Sequence, residues 1–469
     1  MVYQVIINGG CMSKQNIIVF AVLSFAIGFA GAMGSLIMGL GIACALAFVL
    51  MLLTDYEKSI YVLAAYSIID YVLRTFVGGA LAGGWDEAFF LALILLWLYK
   101  WAFCRSEKPF KAAPMDLPVV IFIAVMLVVL IVNSPDFSIS LEGFRAIVQY
   151  VLWYFAVLQL VRDEKGAKGI TVFFVAIVGL MAIHGVYQYI IGVEMPAGWV
   201  DQNEAGVRTR VYSILTSPNI FGSLLTLAAP MAVSLCLGEK SRGRKVLFGF
   251  LALMMLASLV FTSSRGAWIG FAVAFIVYVL LNDKRLLVPG IVAMVLVIVL
   301  VPSVGSRITY MLSPEYIESS LKGGRLVRWL TGLRILEFYP VFGLGLGHFG
   351  GAVAINHGLS TVVDVEVVDT FYMDNYYLKT AVEAGLVGLA AFTMLMYQVF
   401  INGLRVVKLT EGDDFHRLSC GILAGLSGVI IHNWVENVFE VPLMTTVFWM
   451  FVGVLMAVWY SKKHGIERK

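Results

Sequence analysis

Charge is what this sequence has least of. Lys, Arg, Asp and Glu together make 13% of its 469 residues, while 60% are hydrophobic. A soluble domain carries about a quarter charged residues, so a soluble globular chain is excluded and a polytopic membrane protein is implied. The net charge of +3 is too small for a nucleic-acid partner. Cysteine is also scarce. The five, Cys11, Cys44, Cys104, Cys236 and Cys420, form no C-x-x-C pair, and they read as small buried hydrophobes rather than zinc ligands or redox centres. No metal or cofactor is expected. The N-terminal region shows no small-residue cleavage site, so Gln15 to Leu53 reads as retained spans.

What is present is a run of long apolar segments. A span needs about 20 mostly apolar residues. On that criterion spans fall near 16–32, 34–53, 58–78, 87–104, 117–133, 143–161, 169–192, 217–237, 245–262, 266–282, 285–302, 376–402, 416–433 and 441–460. The fold class is therefore an all-α polytopic membrane protein of about 12–14 transmembrane helices. Residues 1–192 are N-terminal transmembrane helices and 193–302 are central helices with outward arginine turns. Residues 303–375 form one long extracytoplasmic loop with short helices, and 376–469 are C-terminal transmembrane helices. Six Lys/Arg clusters, from Lys100 to Lys111 through to Lys462 to Lys469, fall on one side of this arrangement, and loops 79–86 and 134–142 have no Lys or Arg. The positive-inside rule makes the clustered side cytoplasmic, with both termini inside.

The polar residues then converge on the outer face. Arg210 lies nine residues before Asn219, whose Pro218-Asn219 pair reads as a helix start. Arg210 either holds a phosphate bidentately or contacts lipid headgroups. Arg265 sits in Thr262-Ser-Ser-Arg265-Gly266 between two apolar runs, as a functional charge or a snorkelling one. Arg325, Arg328 and Arg334 are spaced to lie near one face of a helix, with Leu326, Trp329, Leu330 and Leu333 on the other. This reads as an amphipathic surface helix or an anion clamp. Gly343-Leu-Gly345-Leu-Gly347-His348-Phe-Gly350 follows no strand and precedes no Lys-Ser/Thr. It is therefore a close-packing turn rather than a nucleotide loop. His348 is a candidate base or hydrogen-bond donor.

Asp374-Asn375 opens the span after the long loop, either as a helix cap or with Asp374 as general base. Glu383, inside that span, is a site candidate or pairs with an arginine to hold the loop. Asp70 and Arg74, spaced i, i+4, form a structural pair, and His184, Tyr187 and Gln188 are also structural.

From Arg210 to Gly388 the order and spacing of these elements resemble the O-antigen ligase and polymerase superfamily of bacterial membrane glycosyltransferases. The elements are Arg210 with Pro218-Asn219, Thr262-Ser-Ser-Arg265-Gly266, Gly324-Arg325 with Trp329, Tyr339-Pro340-Val-Phe-Gly343-Leu-Gly345, and Asp374-Asn375-Tyr-Tyr-Leu378 with Glu383-Ala-Gly385-Leu-Val-Gly388. The resemblance implies a C-type glycosyltransferase-like fold in the bacterial cytoplasmic membrane. It implies an undecaprenyl-pyrophosphate-linked oligosaccharide donor, a glycan or lipid acceptor, and transfer without nucleotide or metal. The setting is cell-surface polysaccharide synthesis of O-antigen, capsule or teichuronic type, among membrane lipids and other polysaccharide-assembly proteins.

Pyrophosphate binding would map to Arg210 and Arg265, with Arg325 and Arg328 as further candidates. Catalysis would map to Asp374 or His348, and support to Asn219, Asn375 and Glu383. Ligases of the superfamily carry His-Asn where this chain has Asp374-Asn375, which turns the reading toward polymerisation. A transporter or flippase is the rival class; broken helices and charges deep in the spans, which would mark it, are expected to be few.

Overall fold

The computed structural model describes residues 56–103, 110–195, 209–322, 324–363 and 366–465. The expected spans 16–32 and 34–53, together with Cys11, Cys44 and Cys104, lie outside these residues. Within them the chain is helical apart from one hairpin. The N-terminal helices are α1 (Ile60–Ala64), α2 (Tyr66–Phe76), α3 (Gly79–Phe103), α4 (Asp116–Val132), α5 (Phe137–Val148), α6 (Trp153–Leu160) and α7 (Glu164–Ile191). The central helices are α8 (Pro218–Gly238), α9 (Arg242–Phe261), α10 (Arg265–Asn282) and α11 (Leu287–Leu300). The long loop holds α12 (Pro302–Met311), α13 (Pro314–Leu321), α14 (Arg325–Phe338), α15 (Ala352–Asn356) and an antiparallel hairpin of β1 (Ser360–Val363) and β2 (Glu366–Asp369). The chain closes with α16 (Tyr376–Leu409), α17 (His416–His432) and α18 (Pro442–Lys463).

Each of the expected spans from 58–78 onward coincides with helix. Seven of the described helices are long and apolar enough to cross a membrane, or up to nine if each bent pair is one span. The all-α polytopic class stands, and the hairpin is an addition that sequence periodicity did not announce. Breaks are more numerous than expected. Glu57–Ala64 and Tyr66–Phe76 meet at 67°, and Lys284–Leu300 and Pro302–Met311 meet at 91°. The second bend falls at Pro302, where a proline opens a helix because it has no N–H to satisfy.

The core is built by close approach. Gly421, Gly425 and Gly428 line one side of α17, and a Cβ at Gly425 would stand 2.3 Å from the Leu227 carbonyl oxygen of α8. Small residues at this spacing let two helices touch along their backbones. Helix α18 is buried along almost its whole length, from Leu443 to Ser461.

Ion pairs gather the basic loops at one end of the bundle. Lys462 Nζ meets Glu164 at 2.7 Å and Asp413 at 2.8 Å, and Lys240 meets Asp414 at 3.3 Å. Arg162 pairs with Glu57. The expected Asp70–Arg74 pair is present at 2.7 Å, with Trp85 Nε1 donating to the same carboxylate.

A third break lies in α16, where Gly385 takes φ +67° and ψ −172°. The segment 340–345 fills the gap. Leu344 N and Gly345 N donate to the carbonyls of Val382 and Glu383, and Leu386 N and Val387 N donate to Pro340 and Val341. Backbone groups released by the break are thus paired, as apolar surroundings require. Two motifs that looked separate in sequence, Tyr339 to Gly345 and Glu383 to Gly388, are one hydrogen-bonded joint.

A Cβ at Gly385 would stand 2.1 Å from the Val341 carbonyl oxygen. Gly385→Ala is therefore expected to destabilise the protein by about 2 kcal/mol or more. Gly243→Ala, in α9 with open space around its Cβ, should be neutral or stabilise by up to about 1 kcal/mol. Thermal unfolding in detergent compares the two; equal midpoints would remove the joint from the account.

Candidate functional site

Four helices begin at one place on the end of the bundle opposite the basic loops. Ser217 caps α8 by accepting from Asn219 N, and Ser264 caps α10 by accepting from Ala267 N. Helix α14 starts at Arg325 after Gly324. Asn375 caps α16, its Oδ1 accepting from Leu378 N at 2.9 Å. Helix N-termini carry partial positive charge and unpaired N–H groups, so their convergence favours an anion.

The side chains at these starts form one chain of contacts. Arg210 donates through Nε to the Thr262 carbonyl at 3.0 Å and through Nη2 to Asn219 Oδ1 at 2.7 Å. Asn219 Nδ2 donates to Glu436 Oε2 at 2.6 Å, and Arg325 Nη2 reaches the same oxygen at 3.2 Å. Arg325 Nε stands 3.9 Å from Asp374 Oδ2, and Arg328 Nη1 donates to that oxygen at 2.8 Å. Arg210, Asn219, Arg325, Arg328 and Asp374 are thereby brought together.

Capping falls to Asn375 alone, which leaves the Asp374 carboxylate facing the arginines. Arg334 departs from the expected clamp and pairs with Glu366 of β2 at 2.7 Å. Nine residues separate it from Arg325, about two and a half helical turns, which puts it on the opposite face of α14.

Arg265 and Arg325 line a chamber of about 160 Å3 with Tyr316, Trp329 and Val435. Arg265 lies over the Tyr316 ring, 4.8 Å from its centroid. Its Nη1 is buried with no hydrogen-bond partner among the described residues, and the same holds for Trp329 Nε1 and both ring nitrogens of His432. His432 packs beneath Gly266, where an added Cβ would stand 2.8 Å from His432 Nε2. Buried donors without partners are costly, and here they surround a cavity beside several positive charges.

The chamber lies beside an apolar groove of about 640 Å3 between α10, α11 and α12, and Arg265, Ile269 and Met311 line both. Deeper in the groove the lining is Phe275, Pro289, Ala293 and Val297.

Burial pushes the Arg210 guanidinium down to about 9, and the neighbouring Arg307, Arg325 and Arg265 push the same way against the pull of Glu436. It stays charged near neutral pH, so the protein holds a cation there at a cost. Burial raises the Glu436 carboxyl, and Arg325 draws it back in part. Among the described residues, Arg307, Arg325 and Arg265 thus lie near enough to Arg210 to act on it, with Glu436 opposing them.

Glu436, Arg307 and His432 were missed by sequence reasoning as site residues. The turn His432 to Glu436 could have been found from its outward placement. Arg307, buried in α12, offered no spacing signal.

Two expected site residues stand apart. His348 Nδ1 pairs with the Leu346 carbonyl at 2.9 Å, beside Gly345, whose neighbours include Pro135. It makes no hydrogen bond or ion pair to the arginine network. Glu383 is buried and pairs with Lys379 Nζ at 2.6 Å, while its Oε1 accepts from Phe349 N. Lys379 also meets Glu440 at 3.3 Å, and Glu440 accepts from Ala352 N. Glu383 therefore holds the glycine turn, as one of its two readings had it, but through a lysine rather than an arginine. This buried triad, like the helix breaks, places more charge within the bundle than expected. Gln188 Oε1 accepts from Tyr212 N and Ser213 N, which fixes the strand of chain carrying Arg210 and agrees with its structural reading.

The O-antigen ligase family model matches residues 222–393. The match supports the O-antigen ligase and polymerase superfamily and takes in Arg265, Arg325, Arg328, His348, Asp374, Asn375 and Glu383. Arg210, Asn219 and Glu436, which complete the network, lie outside it. A search of curated proteins finds no match.

An anion seated among the arginines would relieve their repulsion. Inorganic pyrophosphate is expected to raise the apparent melting temperature by a few degrees at saturation, and Arg265→Ala to remove most of that rise. A wild-type midpoint unmoved by pyrophosphate, with sulfate as comparison, would count against an anion site.

Proposed function

We propose that this protein transfers glycan from an undecaprenyl-pyrophosphate-linked donor at the outer face of the bacterial cytoplasmic membrane, and that it extends a surface polysaccharide. The observation that carries the reading is the apolar groove set against the arginine chamber, with Arg265, Ile269 and Met311 lining both. A ligand suited to both has a long apolar tail joined to an anionic group. On this reading the basic loops at the opposite end of the bundle face the cytoplasm, as do both termini.

The chemistry then follows from charge. Departure of the polyprenyl pyrophosphate leaves negative charge on its terminal phosphate as the anomeric carbon–oxygen bond breaks. Arg265, Arg325 and Arg210, with the N-termini of α10 and α14, are fixed where that charge develops. The acceptor hydroxyl attacks the same carbon and must lose its proton. Asp374 is the group within the network suited to take it. Its carboxylate is tied to Arg328 and Arg325. Phosphate oxygens arriving at those arginines compete for the same donors and release Asp374 toward the acceptor. His348, outside the network, is assigned to the fold of the glycine turn. The family match is to ligases, whereas Asp374 stands where ligases carry histidine; this difference favours chain extension over transfer to a lipid core.

Purified protein given a polyprenyl-pyrophosphate oligosaccharide is expected to yield longer lipid-linked chains, resolved by size. Movement of glycan to a different acceptor would make it a ligase, and no conversion across a panel of donors would sink the enzyme reading. Asp374→Asn should slow turnover by about 10²–10⁴, while His348→Ala retains most activity. The reverse pattern would move the base to His348.

A further inference from the structure

Helix α12 has two unlike faces. Val304, Ile308 and Met311 point into the apolar groove. Thr309 and Tyr310 instead line a separate cleft of about 530 Å3 at the bend into α13, with Ser313, Glu315, Glu318 and Lys322. Residues 315, 318 and 322 recur at helical spacing, so one side of α13 forms the cleft wall. The neighbouring side carries Tyr316, whose ring lies against Arg265 and meets Tyr310 edge-on at 5.7 Å between centroids. Groove, chamber and cleft are therefore consecutive around α12 and α13, with Arg265 and the two tyrosines between the last two.

We infer that the cleft is a saccharide subsite that takes uncharged, hydroxyl-rich sugar units and discriminates against uronic acids. The inference rests on the donor reading above, which supplies a glycan attached to the phosphate in the chamber.

The cleft's chemistry selects the class. Carboxylates accept hydrogen bonds from sugar hydroxyls, and such charge-assisted bonds are stronger than neutral ones. Thr309 Oγ1 donates to the Gly305 carbonyl, and Ser313 Oγ accepts from Tyr316 N. Each hydroxyl oxygen therefore keeps a lone pair for a further donor. Tyr310 adds an aromatic ring to the lining, against which the C–H groups of a sugar can pack. Lys322 is committed to Glu318 by an i, i+4 ion pair, so the three charges sum to one net negative. A sugar bearing its own carboxylate meets repulsion there; a neutral one does not.

The test is a titration of detergent-purified full-length protein with matched trisaccharides, one set neutral or N-acetylated and one set of uronates, read by saturation-transfer NMR. At least one neutral member is expected to bind, with the uronates about fivefold weaker. Tyr310→Ala should weaken the neutral ligand about tenfold. E315Q/E318Q leaves Lys322 as the one charge among the three and should reverse the preference in favour of the uronates. Inorganic pyrophosphate is titrated into the same samples and should bind all variants as it binds wild type, which shows that the fold and the chamber are intact. If no neutral trisaccharide binds, if uronates bind as well as neutral sugars, or if the variants change nothing, the inference is overturned. Saccharide binding without pyrophosphate binding would instead overturn the donor reading and leave the cleft standing.

Discussion

The arginine-bearing end of this bundle is arranged around the problem of keeping arginines together where water is scarce. Guanidinium groups repel one another, and each loses hydration on burial. Glu436 makes the arrangement tenable: one carboxylate oxygen accepts from both Asn219 and Arg325, and through Asn219 it reaches Arg210. Removing one member of such a buried network leaves its partners uncompensated, at a cost of about 3–5 kcal/mol. Among the described residues, Arg265 Nη1 and Trp329 Nε1 are buried without hydrogen-bond partners where helix N-termini converge, and both features favour the same occupant, an anion.

The acceptor side depends on the broken helix. Asp374 precedes α16, and the position of that helix start is set by the joint at Gly385. Segment 340–345 is hydrogen-bonded across the break, and the Lys379–Glu383–Glu440 triad ties the same half-helix to the glycine turn. A carboxylate held against two arginines, and proposed to meet an acceptor, needs such a foundation. This accounts for why charged residues are buried below the site without facing it. It also separates the helix breaks from those of a transporter: the α16 break is filled by the protein's own backbone.

Much of this was legible in the sequence because membrane burial leaves a long, one-dimensional signal. Apolar length located the helices, and scarce charges stood out against it, so Arg210, Arg265, Arg325 and Asp374 could be singled out. The nine-residue spacing of Arg210 and Asn219 proved to be a direct hydrogen bond. What the sequence left dark were contacts between distant turns. Glu436 is 217 residues from Asn219 in the hydrogen bond they share, and nothing in its own turn marks it as the hub. Arg334 shows the converse failure. It groups with Arg325 and Arg328 in the sequence, but a separation of nine residues from Arg325 places it on the other face of α14, where it meets the hairpin.

The paired state of Asp374 bears on how a metal-independent transfer could be ordered. A free carboxylate at an open outer face would be a base at all times, available to water as much as to an acceptor. Paired to Arg328 and Arg325, Asp374 Oδ2 is engaged rather than open to an acceptor. On the proposed reading, a pyrophosphate arriving at those arginines competes for the same guanidinium donors and frees that oxygen. On that reading hydrolysis by stray water is disfavoured before the donor is seated, and residues of α12 to α14 line the chamber that then holds it. The same arginines would serve twice, first as the lock on Asp374 and then as the counter-charge of the leaving group.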